Sequence, residues 1–311
     1  MKKIFIAFAL LTSLSLSQSN FDFEFDYAQF GYDSSSNFLE LYYSFNQASL
    51  NISSENSHTN LQGLLKIFIK NTETEDTLVF NQWKVQHEID TSLESNQMLV
   101  GTLGFIVPKG NYQCQITGSD LTDISKSRVI SEEIKIIPFL HKDLSISDIQ
   151  LASKMIQGSE NKTSIFYKNS YEVIPIPNLV FGKLQPVLFF YIEIYNLQSE
   201  LLKSPQIKMN QMLYNSRGKL VKEKHKYFLR NSDSRVEVGS QILTTYPTDA
   251  YTLVISLIDS AANIGVSTAK KFFVYNPDIT VEDSFEISTT SVLSSAFGSM
   301  SEEELDDLFD K

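Results

Sequence analysis

From Phe21 the chain alternates between large apolar and polar residues, with Phe21, Phe23, Phe25 and Tyr27 separated by Asp22, Glu24, Asp26 and Ala28. Successive side chains of a strand point to opposite faces, so a period of two predicts a strand with one buried and one solvated face. Residues 37–45 give a second such strand, with Leu39, Leu41, Tyr43 and Phe45 on one side. Residues 64–70 and 78–85 flank the polar stretch 71–77 and read as a hairpin. Residues 98–107 and 112–117 flank the turn Pro108-Lys109-Gly110-Asn111, and residues 129–137 close the set at Pro138. Seven strands within about 115 residues and no helical periodicity predict an immunoglobulin-like sandwich.

The second half repeats this plan. Pro108, Tyr112 and Asp120 stand four and eight apart, as do Pro247, Tyr251 and Asp259, and the same order of elements surrounds both sets. Strand, turn, alternating strand, polar loop and closing strand recurring at a domain-sized period predict two tandem sandwiches. In each, the tyrosine is expected to bury its ring and return its hydroxyl to the preceding loop, the tyrosine corner of such folds. The longest apolar run after the N-terminus is residues 186–195, Pro-Val-Leu-Phe-Phe-Tyr-Ile-Glu-Ile-Tyr, β-branched and aromatic with a single charge at Glu193. That composition suits a strand buried on both faces, here the central strand of the second sandwich. Glu193 is expected on its solvated side, the sharper alternative being a paired interior carboxylate. Prolines at 175 and 177 predict an extended segment over 170–182. The expected organisation is a signal segment 1–19, a sandwich over 20–138, a second over 139–277, and an acidic tail 278–311.

Composition adds address. Lys2 and Lys3, the apolar residues 4–16 and the small Ser15, Ser17 and Ser19 have the form of a secretory signal. Once it is cleaved, nothing else in the chain is long and apolar enough to span a bilayer, so the expected location is the periplasm or the cell surface. Cys114 is the sole cysteine, which excludes an intrachain disulfide and leaves stability to burial. It stands two residues after Tyr112, at a strand position suited to a small core hydrophobe. Of the net charge of −11, the tail carries −9 and residues 21–277 carry −4, so the body shows no bias toward nucleic acid. Ser301-Glu302-Glu303-Glu304 has the form of a capping box, and Met300, Leu305, Leu308 and Phe309 fall on one side of a short helix suited to docking.

Chemistry-bearing motifs are absent from the sequence: it has no Gly-x-Ser-x-Gly elbow, zinc-helix motif, phosphate loop or dinucleotide fingerprint. His58, His87, His141 and His225 lie far apart in polar settings and read as surface residues. Asp120 and Asp123 suggest loop capping rather than calcium binding, because two carboxylates without a glycine make a poor calcium loop. The densest basic stretch is 219–226, whose alternating character fits a solvated strand face or a protected sheet edge. No catalytic, cofactor-binding or metal-ligating residue is assigned, and no cofactor is expected.

The segments Ser147-Asp148-Ile149-Gln150-Leu151-Ala152-Ser153 and 186–197, with Pro277 and the terminal Met300-Ser301-Glu302-Glu303-Glu304-Leu305, resemble the N-terminal part of GWxTD-domain proteins, a family of exported bacterial proteins. The resemblance covers most of the chain after the signal. The Gly-Trp-x-Thr-Asp motif itself does not occur, and Trp83 is the one tryptophan. The resemblance implies address and architecture, without a chemistry to carry over. The expected function is an exported envelope module that binds or assembles with another envelope protein and has no activity of its own. The alternatives are an accessory region of an enzyme whose catalytic domain lies beyond Lys311, and a carbohydrate-binding sandwich. The last needs aromatics on an exposed sheet face, for which the adjacent pairs Tyr42-Tyr43 and Phe189-Phe190 are the candidates.

Overall fold

A computed structural model describes residues 21–55, 58–88 and 98–279. The signal segment 1–19 and the docking-helix positions Met300, Leu305, Leu308 and Phe309 lie outside the described residues. Eight strands come first: β1 (Phe23–Gly31), β2 (Ser36–Asn46), β3 (Ile52–Glu55), β4 (His58–Asn71), β5 (Thr77–Glu88), β6 (Met98–Pro108), β7 (Gly110–Asp120) and β8 (Ser127–Ile136). Eleven follow: β9 (Ser145–Ile146), β10 (Gln150–Gln157), β11 (Tyr167–Lys168), β12 (Tyr171–Pro175), β13 (Val180–Gly182), β14 (Val187–Tyr195), β15 (Gln206–Asn215), β16 (Leu220–Leu229), β17 (Arg235–Ile242), β18 (Asp249–Asp259) and β19 (Ile264–Tyr275). Among the described residues the only helical turn is 3-10, Gln47–Ser49.

The chain folds as two tandem immunoglobulin-like, fibronectin-like sandwiches with the same strand order. In the first, the sheet β1-β2-β6 faces a sheet in which β4 lies between β5 and β7, and β8 follows β7. In the second, β10-β14-β17 faces β16-β15-β18-β19, so every strand of the first sandwich except β3 has a counterpart at the same place. The additions are local: β11 and β12 extend beyond β10, and β13 pairs in parallel with the end of β19. Gly182 makes that pairing possible, because its φ is +116° and a Cβ there would stand 2.4 Å from the Tyr275 carbonyl oxygen. β3 and the first six residues of β4 were not anticipated. Ser53 and Ser54 carry no apolar alternation, so backbone pairing alone defines that edge.

Each sandwich has its own core. Phe23, Leu39, Leu41 and Phe45 meet Leu65, Ile67, Ile69 and Ile116 in the first, and Leu188, Phe190, Ile192 and Ile194 meet Ile207, Leu253, Ile255 and Leu257 in the second. A third apolar cluster lies between them. Ala28, Phe30 and Tyr42, on the outer face of the first sandwich's β1-β2 sheet, pack against Ala152, Val173 and Tyr191 on the outer face of the second sandwich's β10-β14 sheet. Each large apolar side chain buried there contributes roughly 1.5–3 kcal/mol.

This packing corrects one expectation and explains another. β1 is not half-solvated: its second face, Asp26, Ala28 and Phe30, is buried by the partner sandwich. β14 is buried on both faces because one face belongs to its own core and the other to the joint. The connecting residues are tied to both sides. Buried Asn37 donates to the Ile137 carbonyl (2.9 Å) and accepts from the Phe139 amide (3.1 Å), while Asn196 donates to the carbonyls of Phe139 (3.0 Å) and Asp143 (2.6 Å).

Candidate functional site

The joint holds the densest constellation of buried polar groups. Lys168 donates to Glu40 at 2.8 Å and lies over the rings of Phe30 and Tyr191, 3.9 and 4.5 Å from their centroids. Burial pushes the Lys168 ammonium below its ordinary pKa, and the charges of Glu40 and Glu193 hold it up against that. Glu40 also accepts from the Tyr42 hydroxyl (2.7 Å). At the other end Lys270, from the last strand, pairs with Asp26 of the first strand and donates to the Tyr27 carbonyl (3.1 Å). Burial raises the Asp26 carboxyl above its usual range, only partly opposed by Lys270. Two further bonds clamp the same seam: the Gln29 amide donates to the Asp148 carboxylate (2.9 Å) and the Asp148 amide to the Gln29 carbonyl (3.1 Å).

Glu193 fits neither reading fully: it is half-buried at the rim of the joint, hydrogen-bonded but without an ion pair among the described residues. It accepts from the hydroxyls of Tyr191 (2.7 Å) and Tyr195 (2.8 Å) and from Asn169 (3.0 Å). The Tyr195 hydroxyl in turn accepts from the Gly31 amide at 2.7 Å, which carries the network into the first sandwich. Burial, followed by the Glu193 charge, drives both tyrosine pKa values far above the usual phenol range. These groups are locked by their partners, so the arrangement positions two sheets and offers no free acid or base.

The repeat residues occupy equivalent places. Tyr251 donates to the Pro247 carbonyl at 3.1 Å, making the expected corner. Tyr112 buries its ring without a hydroxyl partner among the described residues, so its corner is packed rather than bonded. Pro108 ends β6, ahead of Gly110. Asp120 and Asp259 are fully buried at the ends of β7 and β18. Asp120 accepts from the amides of Asn51 (2.5 Å), Thr122 (2.7 Å) and Asp123 (2.8 Å), and Asp259 from those of Lys203 (2.6 Å), Ser204 (2.9 Å), Ala261 and Ala262 (both 3.0 Å). Burial alone would raise both carboxyls, but these donors outweigh it and hold both below the ordinary range. Each aspartate thus fastens two loops at one end of its sandwich.

The remaining candidates are inert or apart. Cys114 is buried, and burial, with Glu132 nearby, pushes its thiol up to about 12. His87 and His225 are exposed, and His141 accepts from the Asp143 amide (3.0 Å), so these three histidines lie apart. Among the described residues no group of three His, Cys, Asp or Glu side chains is placed to hold a metal ion. No helix there is long and apolar enough to cross a membrane.

The aromatic pairs expected to offer an outward ring do not do so: Tyr42 and Phe190 are buried, and Tyr43 and Phe189 pack against the clusters inside and between the sandwiches. The exposed aromatic surface is elsewhere. Phe80 of β5 is 82% exposed and stands edge-on to its cross-strand neighbour Phe68 of β4, with ring centroids 6.0 Å apart. Gln82 on β5 and Gln115, opposite Phe68 on β7, flank it on the outer face of that sheet. Alternation along 78–85 already places Phe80 opposite the half-buried, core-facing set Val79, Trp83 and Val85, which is the signal that finds it.

No protein-family model and no curated protein sequence matches the chain. Solved structures share its β-rich character at low similarity. Dimeric latent PorU from Porphyromonas gingivalis is 12% identical over 81% of this chain and 20% of its own, with a TM-score of 0.30. The serine-rich repeat protein Srr2 from Streptococcus agalactiae is 12% identical over 86% of this chain and 96% of its own, at 0.27. A glycosyl hydrolase family 2 member from Bacteroides cellulosilyticus is 7% identical over 77% of this chain and 26% of its own, at 0.26. The chain spans a fifth of the first and about a quarter of the third.

Proposed function

We propose that this chain is an exported, non-catalytic binding or assembly module of the cell envelope whose partner is another envelope protein. The observation that supports it most is the division of its sheet faces. The β1-β2 and β10-β14 outer faces are consumed in joining the sandwiches, while the β5-β4-β7-β8 outer face keeps Phe80 uncovered against the half-buried Phe68. Joining by apolar packing, two buried ion pairs and tyrosine-mediated bonds favours a stiff unit, and a stiff unit loses little conformational freedom on binding. A second reading, a neutral saccharide on the same face, is favoured by the amides of Gln82 and Gln115 beside the exposed ring, since sugars stack on aromatic planes and hydrogen-bond to amides.

The test measures saturable binding of the labelled full chain to washed envelope fractions of its source cells, beside intact-mass analysis of the native protein. Expected are loss of the N-terminal segment on export and at least several-fold weaker binding by Phe80→Ser with unchanged thermal stability. Protease treatment of the fractions removes a protein partner and spares a saccharide. A leader retained on cytosolic protein, or binding indifferent to Phe80→Ser, overturns the proposal.

A further inference from the structure

The second sandwich is open along one side, between the edge strands β16 and β17. On β16, Lys222, Lys224 and Lys226 lie opposite Leu213, Gln211 and Met209 of β15, and two of those three neighbours belong to the core. All three lysines therefore share the inward face of their sheet. Across the opening, β17 turns Arg235, Glu237, Gly239 and Gln241 inward, opposite the core residues Ile194, Ile192, Phe190 and Leu188. Lys226 and Arg235 both pair with buried Glu237, which completes that end. At the other end the facing positions are Gly239, without a side chain, and Gln241, without a charge. Lys222 and Lys224 thus have no counter-charge among the described residues, and burial, with Lys224 beside it, lowers the Lys222 ammonium's preference for its proton.

Between them runs a groove of about 360 Å³, within the size range of small-ligand sites, with a pit of about 10 Å³ at its floor. Gln241 is 5% exposed, and its Oε1 has no hydrogen-bond partner, while its Nε2 is held by the Ile242 carbonyl (2.7 Å) and the Tyr246 hydroxyl (3.3 Å). A buried acceptor left unpaired keeps its desolvation penalty, so a ligand donor that reaches it relieves that penalty. The far wall, with Thr244 and Thr245, is fixed by Asn276, which donates to the carbonyls of Leu243 and Tyr246 (both 2.7 Å). Inward lysines also guard sheet edges against pairing. Edge protection, however, needs neither the groove nor the unpaired amide oxygen.

We infer that this groove binds an acidic saccharide. Its carboxylate or sulfate oxygens are received by Lys222 and Lys224, whose Cα atoms stand about 7 Å apart on one strand face. A neighbouring sugar hydroxyl donates to Gln241 Oε1. This goes beyond the binding-module reading, because it names a separate site and a ligand class, and it stands or falls independently of Phe80.

The test is affinity electrophoresis of the full chain through gels holding polygalacturonate, dextran sulfate, neutral dextran or polyglutamate, at low and at physiological salt. Expected is retardation by an acidic polysaccharide, weakening as salt rises, with the first two gels separating a carboxylate from a sulfate preference. The Lys222→Gln/Lys224→Gln double variant loses at least tenfold in affinity, Gln241→Met loses several-fold, and Lys219→Gln behaves as wild type. Thermal melts of the variants within a few degrees of wild type exclude misfolding as the cause. No retardation by either acidic polysaccharide, or an unaffected double variant, overturns the inference. So does equal retardation by polyglutamate with Gln241→Met indifferent, which marks a site for any polyanion.

Discussion

Replacing Lys270 by Met strands a buried carboxylate. Asp26 and Lys270 have side chains 8% and 17% exposed and stand 244 residues apart in sequence, in the first strand of one sandwich and the last of the other. Removing one member of a buried pair costs about 3–5 kcal/mol, because the survivor keeps its desolvation and loses its partner. An exposed pair such as Lys183 with Asp278, 65% and 72% exposed, is screened by water and adds little to stability, so Lys183→Met is the matched control. The sole tryptophan, Trp83, belongs to the first sandwich, so urea unfolding followed by its fluorescence reports whether a change at Lys270 reaches across the joint. With a slope of about 2–3 kcal/mol/M, the expected midpoint loss is roughly 1–2.5 M. The double variant Asp26→Leu/Lys270→Met is expected to recover to within about 1 kcal/mol of wild type, since an apolar pair pays no desolvation. The pH dependence has a definite sign. Burial already raises the Asp26 carboxyl, and loss of Lys270 raises it further, so the folded variant prefers the protonated acid. Its deficit therefore grows as pH rises from the ordinary carboxylate value through that raised pKa and shrinks in acid. A Trp83 transition that Lys270→Met leaves within about 0.5 kcal/mol of wild type, or a double variant no better than the single, refutes this account of the joint.

Two further outcomes follow from the hydrogen bonds. Tyr195→Phe leaves the Gly31 amide without its acceptor and Glu193 short of a donor; the expected loss is about 1–3 kcal/mol in chemical denaturation, accompanied by faster amide exchange at Gly31. Asp259→Asn removes a carboxylate whose folded pKa is depressed, so the wild type's advantage is present above the ordinary carboxylate pKa and fades as pH falls toward the lower folded value. Thermal melts of both proteins between pH 2.5 and 7 check this, and a gap that stays constant across that range contradicts it.

The strands, the repeat and the loop-fastening aspartates were legible in the chain because they depend on near neighbours. Apolar alternation needs only a period of two, and a repeat of the spacing Pro108–Tyr112–Asp120 at Pro247–Tyr251–Asp259 needs only counting. The sandwich architecture follows from those patterns and from the absence of helical periodicity. The sequence also pointed to β14 as doubly buried, but it could not say by what. Only tertiary structure supplies that answer, since the second cover is the outer face of another sandwich more than a hundred residues away. For the same reason Asp26, the polar partner in an alternating strand, reads as solvated and is in fact paired with Lys270. The basic stretch 219–226 shows its charge in sequence, yet whether a lysine there meets Glu237, Gly239 or Gln241 depends on how two sheets face one another. Local pattern selects the elements, because pleat and turn chemistry act over a few residues. Counter-charge, cover and cavity are set by segments distant in sequence, and those are what determine where this protein can bind.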